Sequence, residues 1–112
     1  MAVSEADIAF VTDLFNEAGT ITTRKMMGGL SIYCEGEIFS IMTSDGHVML
    51  KAQGPLAAEL ESLGSSKFTY TRKNGTTTSM CYWDLPDAAL DDPETAVDWA
   101  RRSLKDTAEY KG

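Results

Sequence analysis

Leu30-Ser31-Ile32-Tyr33-Cys34-Glu35-Gly36-Glu37-Ile38-Phe39-Ser40-Ile41-Met42-Thr43-Ser44-Asp45-Gly46-His47-Val48-Met49-Leu50-Lys51-Ala52 is the stretch that decides the fold. Its three β-rich runs are separated by Glu35-Gly36 and by Ser44-Asp45-Gly46, both suited to tight turns. The stretch therefore reads as three strands of an antiparallel meander. Downstream, Gly54-Pro55 ends the last strand, and Leu56, Ala57, Leu60 and Leu63 form a short helical stripe that stops at Gly64. Phe68, Tyr70 and Arg72 then alternate with Thr69 and Thr71. Asn74-Gly75 supplies a type I′ turn pair, and Thr76 to Trp83 runs back as the second arm of a hairpin.

Both ends of the chain read as helical. Ser4 followed by Asp7 is a variant of the capping box, and Ile8, Val11, Leu14, Phe15 and Ala18 recur at helical spacing up to Gly19. Asp92 as N-cap with Pro93 at the first helical position opens a closing helix, whose apolar side carries Val97, Ala100, Leu104 and Ala108. A short helical turn over Asp87 to Leu90 precedes it. The resulting order is α-β-β-β-α-β-β-α. Strands grouped in hairpins predict an α+β fold of two layers, a five-stranded, mainly antiparallel sheet with helices packed on one face. The other face, left without helices, tolerates the Thr and charged residues found between Lys67 and Thr78.

At 112 residues and 43% hydrophobic content, one domain spanning 1–112 is expected. A net charge of −7 repels phosphate backbones and anionic membranes, so nucleic acid starts as a disfavoured partner. The N-terminus lacks the basic and apolar regions of a secretory signal, and no apolar run approaches a membrane span. A soluble bacterial cytoplasmic protein is the expectation. Cys34 and Cys81 show neither C-x-x-C nor zinc spacing and read as small, reduced core residues.

Catalytic patterns find little support. The single histidine, His47, flanks a turn, where imidazoles are usually solvated. Gly29-Leu30-Ser31-Ile32-Tyr33 begins like a nucleophile elbow but lacks the closing glycine and leads into a meander. Gly28-Gly29 precedes a strand rather than a helix, which speaks against a phosphate loop. Carboxylates such as Asp91, Asp92 and Glu94 are explained by dipole compensation at a helix start. Asn74-Gly75-Thr76 has the form of a glycosylation acceptor, but in a cytosolic chain it is simply a turn. No enzyme, cofactor or metal site is expected.

Two segments stand out. Arg24-Lys25-Met26-Met27-Gly28-Gly29 places paired cations, two flexible thioethers and two permissive glycines just before the first strand of the meander. This composition suits adaptable protein contacts, and core filling with a glycine bulge is the plainer alternative. The hairpin with Lys67, Phe68, Tyr70, Arg72 and Lys73 has the aromatic and basic mixture of single-strand binders, although strands favour aromatics anyway.

The Arg24 to Gly29 segment, followed by Ile32-Tyr33-Cys34-Glu35-Gly36 and Leu50-Lys51, resembles the N-terminal domain of the TfoX/Sxy family of bacterial competence regulators. Phe68-Thr69-Tyr70, Met80-Cys81-Tyr82-Trp83-Asp84-Leu85-Pro86 and Trp99-Ala100-Arg101-Arg102-Ser103-Leu104 continue the resemblance in order over nearly the whole chain. Met27 stands where that family commonly has an aromatic residue, and Ser31 where it has a glycine. The resemblance implies the two-layer fold and no catalytic residues. Family members tied to competence act as transcriptional coactivators and usually carry a C-terminal domain, to which nothing in these 112 residues corresponds.

The expected function is thus a non-enzymatic, TfoX-like interaction module. It would bind another protein, a component of the transcription machinery for example, through Arg24, Lys25, Met26, Met27, Gly28 and Gly29; homodimerisation is a further option. The first alternative is direct nucleic-acid binding through Lys67, Arg72, Lys73, Arg101 and Arg102, joined by Lys105. The second is a small-molecule sensor using the sheet face near Tyr82 and Trp83.

Overall fold

The computed structural model describes residues 4–26, 29–71, 75 and 77–110. Helix α1 (Glu5–Phe15) opens on the expected capping box. The Ser4 hydroxyl accepts from the Asp7 amide at 3.2 Å, and the Asp7 carboxylate accepts from the Ser4 amide at 2.8 Å. A 3₁₀ turn (Asn16–Ala18) leads to β1 (Ile21–Met26), β2 (Gly29–Cys34), β3 (Glu37–Met42) and β4 (Val48–Lys51). Then follow α2 (Pro55–Ser62), β5 (Lys67–Thr71), β6 (Thr77–Asp84), α3 (Asp87–Leu90) and α4 (Pro93–Tyr110). The strands form one antiparallel sheet in the order β1-β2-β3-β4-β6-β5. Among the described residues no helix is long and apolar enough to cross a membrane.

The α+β architecture is the expected one, with a correction: the sheet has six strands, not five. The additional strand, β1, contains Arg24, Lys25 and Met26, which the sequence placed ahead of the first strand. Ile21, Thr22 and Thr23 are β-branched and suit extended backbone, and an edge strand needs no alternating apolar face to advertise it.

Leu30, Ile32, Cys34, Phe39, Leu50 and Trp83 meet Val11, Phe15, Leu56, Leu60, Ala89 and Ala100 from the helices in the main core. Phe39 gets there through a bulge. Ile32 pairs with Ser40 and Tyr33 with Ile38, so Phe39 is left between two ladder pairs. Its ring meets Phe15 edge to face, with centroids 4.9 Å apart. A smaller cluster of strand residues alone, Ile41, Met49 and Tyr82 with Ile38 and Phe68, occupies the opposite face.

Three packing expectations change. Leu63 is 60% exposed: α2 ends at Ser62, and the amides of Gly64 and Ser65 close a Schellman cap on Glu61 and Leu60 that turns Leu63 outward. Cys34 is buried as expected, whereas Cys81 is half-buried beside Gln53. Ala108 is exposed, and the second half of α4 instead buries Ser103, Asp106 and Thr107.

Two of these buried polar groups, Ser103 and Asp106, have structural work. The Ser103 hydroxyl lies 2.5 Å from the Lys51 carbonyl and 3.3 Å from that of Phe39, tying α4 to β4 and to the β3 bulge. The Asp106 carboxylate accepts from the amides of Gln53 (2.7 Å) and Gly54 (3.3 Å). Helix α2 has no side-chain cap of its own, so Asp106 reaches across the chain to serve the backbone at its start. Asp106→Ala removes the partner of two part-buried amides. It should cost about 2 kcal/mol, read as a lower urea midpoint with an unchanged slope.

Candidate interaction surface

A strand turns successive side chains to opposite faces, and this decides how the basic segment is used. Arg24 stands opposite Ser31, and Lys25 opposite Leu30. Leu30 belongs to the helix-covered core, so Lys25 emerges on the helix side, where its Nζ lies 3.8 Å from Glu5 Oε1 of α1. Arg24 belongs to the helix-free face. The expected pair of cations is therefore split by the thickness of the sheet. Met26 closes β1 and Gly29 opens β2; Met27 and Gly28 lie outside the described residues.

The helix-free face is built in two rows. Arg24, Ser31, Ile41, Met49 and Asp84 follow one another across β1, β2, β3, β4 and β6. Thr22, Tyr33 and Ile38 begin the second row, and Lys51 and Tyr82 pair within it on β4 and β6. Tyr33 and Lys51 are half-buried, Arg24 is exposed, and Ile41, Met49 and Tyr82 are buried. The surface thus has an apolar stretch across β3, β4 and β6, with Lys51 beside it on β4 and Arg24 at the β1 edge.

Two of its members carry a physical signature. Ser31 is 1% exposed, and its hydroxyl has no hydrogen-bond partner among the described residues. Tyr82 is 6% exposed, and burial, assisted by Cys81 and Tyr33, pushes its phenol up to about 12. Ser31, Tyr33 and Lys51 were not singled out from the sequence as surface residues. The available signal was the parity they share with Arg24 or Tyr82 once β1 is counted as a strand. Tyr82 and Trp83, grouped by the sequence on one sheet face, lie on opposite faces, since Trp83 belongs to the helix-side core.

Among the described residues, those of the nucleic-acid alternative do not converge in this way. Lys67 Nζ sits 5.6 Å from the Trp83 ring, and Arg102 lies 4.5 Å over Trp99 while pairing with Glu59. Arg101 donates to the Glu17 carbonyl at 3.0 Å, and the groove beside it is lined by Glu17, Asp92, Glu94 and Asp98. These carboxylates repel phosphate. Arg72 and Lys73 lie outside the described residues.

Among the described residues no three His, Cys, Asp or Glu side chains are grouped to hold a metal ion. His47 is exposed in its turn, 3.5 Å from Asp84 and 3.8 Å from Asp45. Cys34 is enclosed, with its thiol 3.5 Å from the Ala18 carbonyl and its pKa raised by burial and by Glu35. Gly19 allows this approach, because a Cβ there would stand 2.9 Å from the Cys34 sulfur.

The arrangement defines a two-layer α+β domain whose antiparallel sheet keeps one face free of helices. The family model for the TfoX N-terminal domain matches residues 13–107, and the chain belongs to that family. It is also 22% identical over 111 residues to a protein described as DNA transformation protein TfoX1 from Aliivibrio fischeri (strain ATCC 700601 / ES114). That match takes in 96% of this chain and 52% of the relative, so the chain spans about half the relative's length.

Two measurements check this surface. Ser31→Ala removes a hydroxyl without a partner and should leave stability unchanged or raise it by up to about 1 kcal/mol, whereas Ser40→Ala, which deletes a 2.6 Å bond to the Met49 carbonyl, should lower it by about 1 kcal/mol. In an ultraviolet titration Tyr82 should ionise about two pH units above the ordinary value of 10.0, near 12. A phenol raised in the folded state contributes stability that is complete below pH 10 and lost as pH climbs through 12. Urea midpoints should therefore fall across that window, and less so in Tyr82→Phe.

Proposed function

We propose that this TfoX-like domain is a non-enzymatic regulatory module that binds another protein through the helix-free face of its sheet, with Arg24, Tyr33 and Lys51 as the contacts around its apolar stretch. Its setting in this proposal is the bacterial cytoplasm, and its output is transcription of the competence type. The name of the relative, a DNA transformation protein, supports that setting. The observation that carries the surface is the split of Arg24 from Lys25, which leaves Arg24 beside Tyr33 and Ser31 and sends Lys25 to Glu5. Cations, aromatic side chains and a desolvated apolar centre are the usual anchors of a protein interface.

The split also supplies the test. In cells lacking their own copy, the native chain should restore competence-gene transcription. Arg24→Glu should reduce it about tenfold or more, the cost of one unfavourable charge at an anchor that the partner covers. Lys25→Glu, on the other side of the sheet, should leave it within about twofold, with both variants matching the native circular dichroism. Equal losses in both variants would remove the assignment to this face. No effect of the native chain itself would remove the regulatory reading.

A further inference from the structure

We propose that the outer edge of β1 pairs with β1 of a second copy about a two-fold axis through Thr23, joining two six-stranded sheets into one continuous sheet. The phase of the β1 ladder is fixed by one bond: the Glu35 amide donates to the Thr20 carbonyl at 2.9 Å. Thr20 and Glu35 continue the register in which Ile21 faces Cys34, and bonded and non-bonded pairs alternate along an antiparallel ladder. Thr22 and Arg24 therefore bond inward to β2. Ile21, Thr23 and Lys25 turn their amides and carbonyls to the open side, and among the described residues β1 has β2 as its strand neighbour and stands at the end of the sheet.

These outward groups match themselves in a single register. With the axis at Thr23, each Thr23 bonds its counterpart, and each Ile21 bonds the other copy's Lys25, so every outward amide and carbonyl of the strand is used. On the helix-free face Thr22 stands opposite the other copy's Arg24, and on the helix side the Lys25 stem covers Ile21. Like charges are nowhere directly opposed. An axis at Arg24 would bring two guanidinium-bearing residues to the close, non-bonded spacing, and an axis at Thr22 would leave the outward groups of Lys25 unpaired. The contact is a backbone seam with β-branched Ile21, Thr22 and Thr23 over it, and it leaves the middle of the helix-free face open. It takes in Arg24, a contact of the protein partner proposed above, but does not rest on that reading.

Each copy carries a net charge of −7, so association should tighten as salt screens the mutual repulsion. Sedimentation equilibrium from micromolar to millimolar protein should show the mass rising from one chain to two, more readily at high salt. Thr23→Pro removes the central outward amide and touches no bond to β2, so it should fold normally and weaken the dimer about tenfold or more. Thr22→Pro should instead disturb the β1–β2 pair itself. Amide exchange on the native chain gives a readout that needs no variant. Thr22 and Arg24 should be protected at every concentration, and Ile21, Thr23 and Lys25 only as the dimer forms. A native chain that stays monomeric at the highest concentration and salt would overturn the proposal, even if its edge takes a strand of another protein. So would a dimer that Thr23→Pro does not weaken, or one in which Ile21, Thr23 and Lys25 exchange freely.

Discussion

Everything in this fold hangs from the polar side of α4. A helix laid across a sheet covers backbone groups that water can no longer reach, and each must find a partner within the protein. The bulge at Phe39 and the end of β4 at Lys51 both present carbonyls under α4, and Ser103 answers them. One turn further on, Asp106 takes the amides that begin α2. An apolar stripe would bury more oily surface but would leave these groups without partners, at a cost exceeding what a methyl group returns. Helix α4 is therefore held in one rotation and one height. Its hold on α2 fixes the passage between β4 and β5, which places the β5–β6 hairpin on the far side of β4.

That anchoring explains why the two sides of the sheet differ in kind. Every helix is committed to the main core, which takes Leu30, Ile32, Leu50 and Trp83 from the strands. The reverse side is left with Ile41, Met49 and Tyr82, packed among the described residues with Ile38 and Phe68 of the strands. A domain in the size range of this chain has apolar surface enough for one helix-covered core, and what remains is available for recognition. The same geometry separates neighbours in sequence: Arg24 from Lys25, and Tyr82 from Trp83. Charges adjacent in the chain serve opposite surfaces, one structural, toward Glu5, and one facing outward beside Tyr33.

Much of the fold could be read from residues whose role is local. Ser4 with Asp7, Asp92 with Pro93, the Gly64 stop and the turns at Glu35-Gly36 and Asp45-Gly46 act within a few residues of themselves, and they appear where the pattern put them. What stayed hidden depends on partners distant in sequence. β1 is polar because it is an edge, and Thr22-Thr23-Arg24-Lys25 offers no alternation to find. Ser103 and Asp106 look like solvent-facing residues until the carbonyls and amides about 50 positions away are brought beneath them. The candidate surface was half legible for the same reason. Arg24 was recognised, but its companions Ser31, Tyr33 and Lys51 come from other strands, and parity across a sheet is fixed only when every strand is counted.

The stabilising seam lies C-terminal to every strand of the sheet, and this has a consequence for biosynthesis. Strands β1 to β4 are neighbours in sequence and can pair as they leave the ribosome, with α1 already made to cover Phe39. Ser103 and Asp106 emerge only after β6, when every strand has been made. Until then the carbonyls of Phe39 and Lys51, together with the oily patch around Leu50 and Leu60, face the cell without their lid. The nascent protein passes through an interval in which its sheet is complete but its core is open, the state that holdase chaperones recognise and in which premature truncation is most damaging.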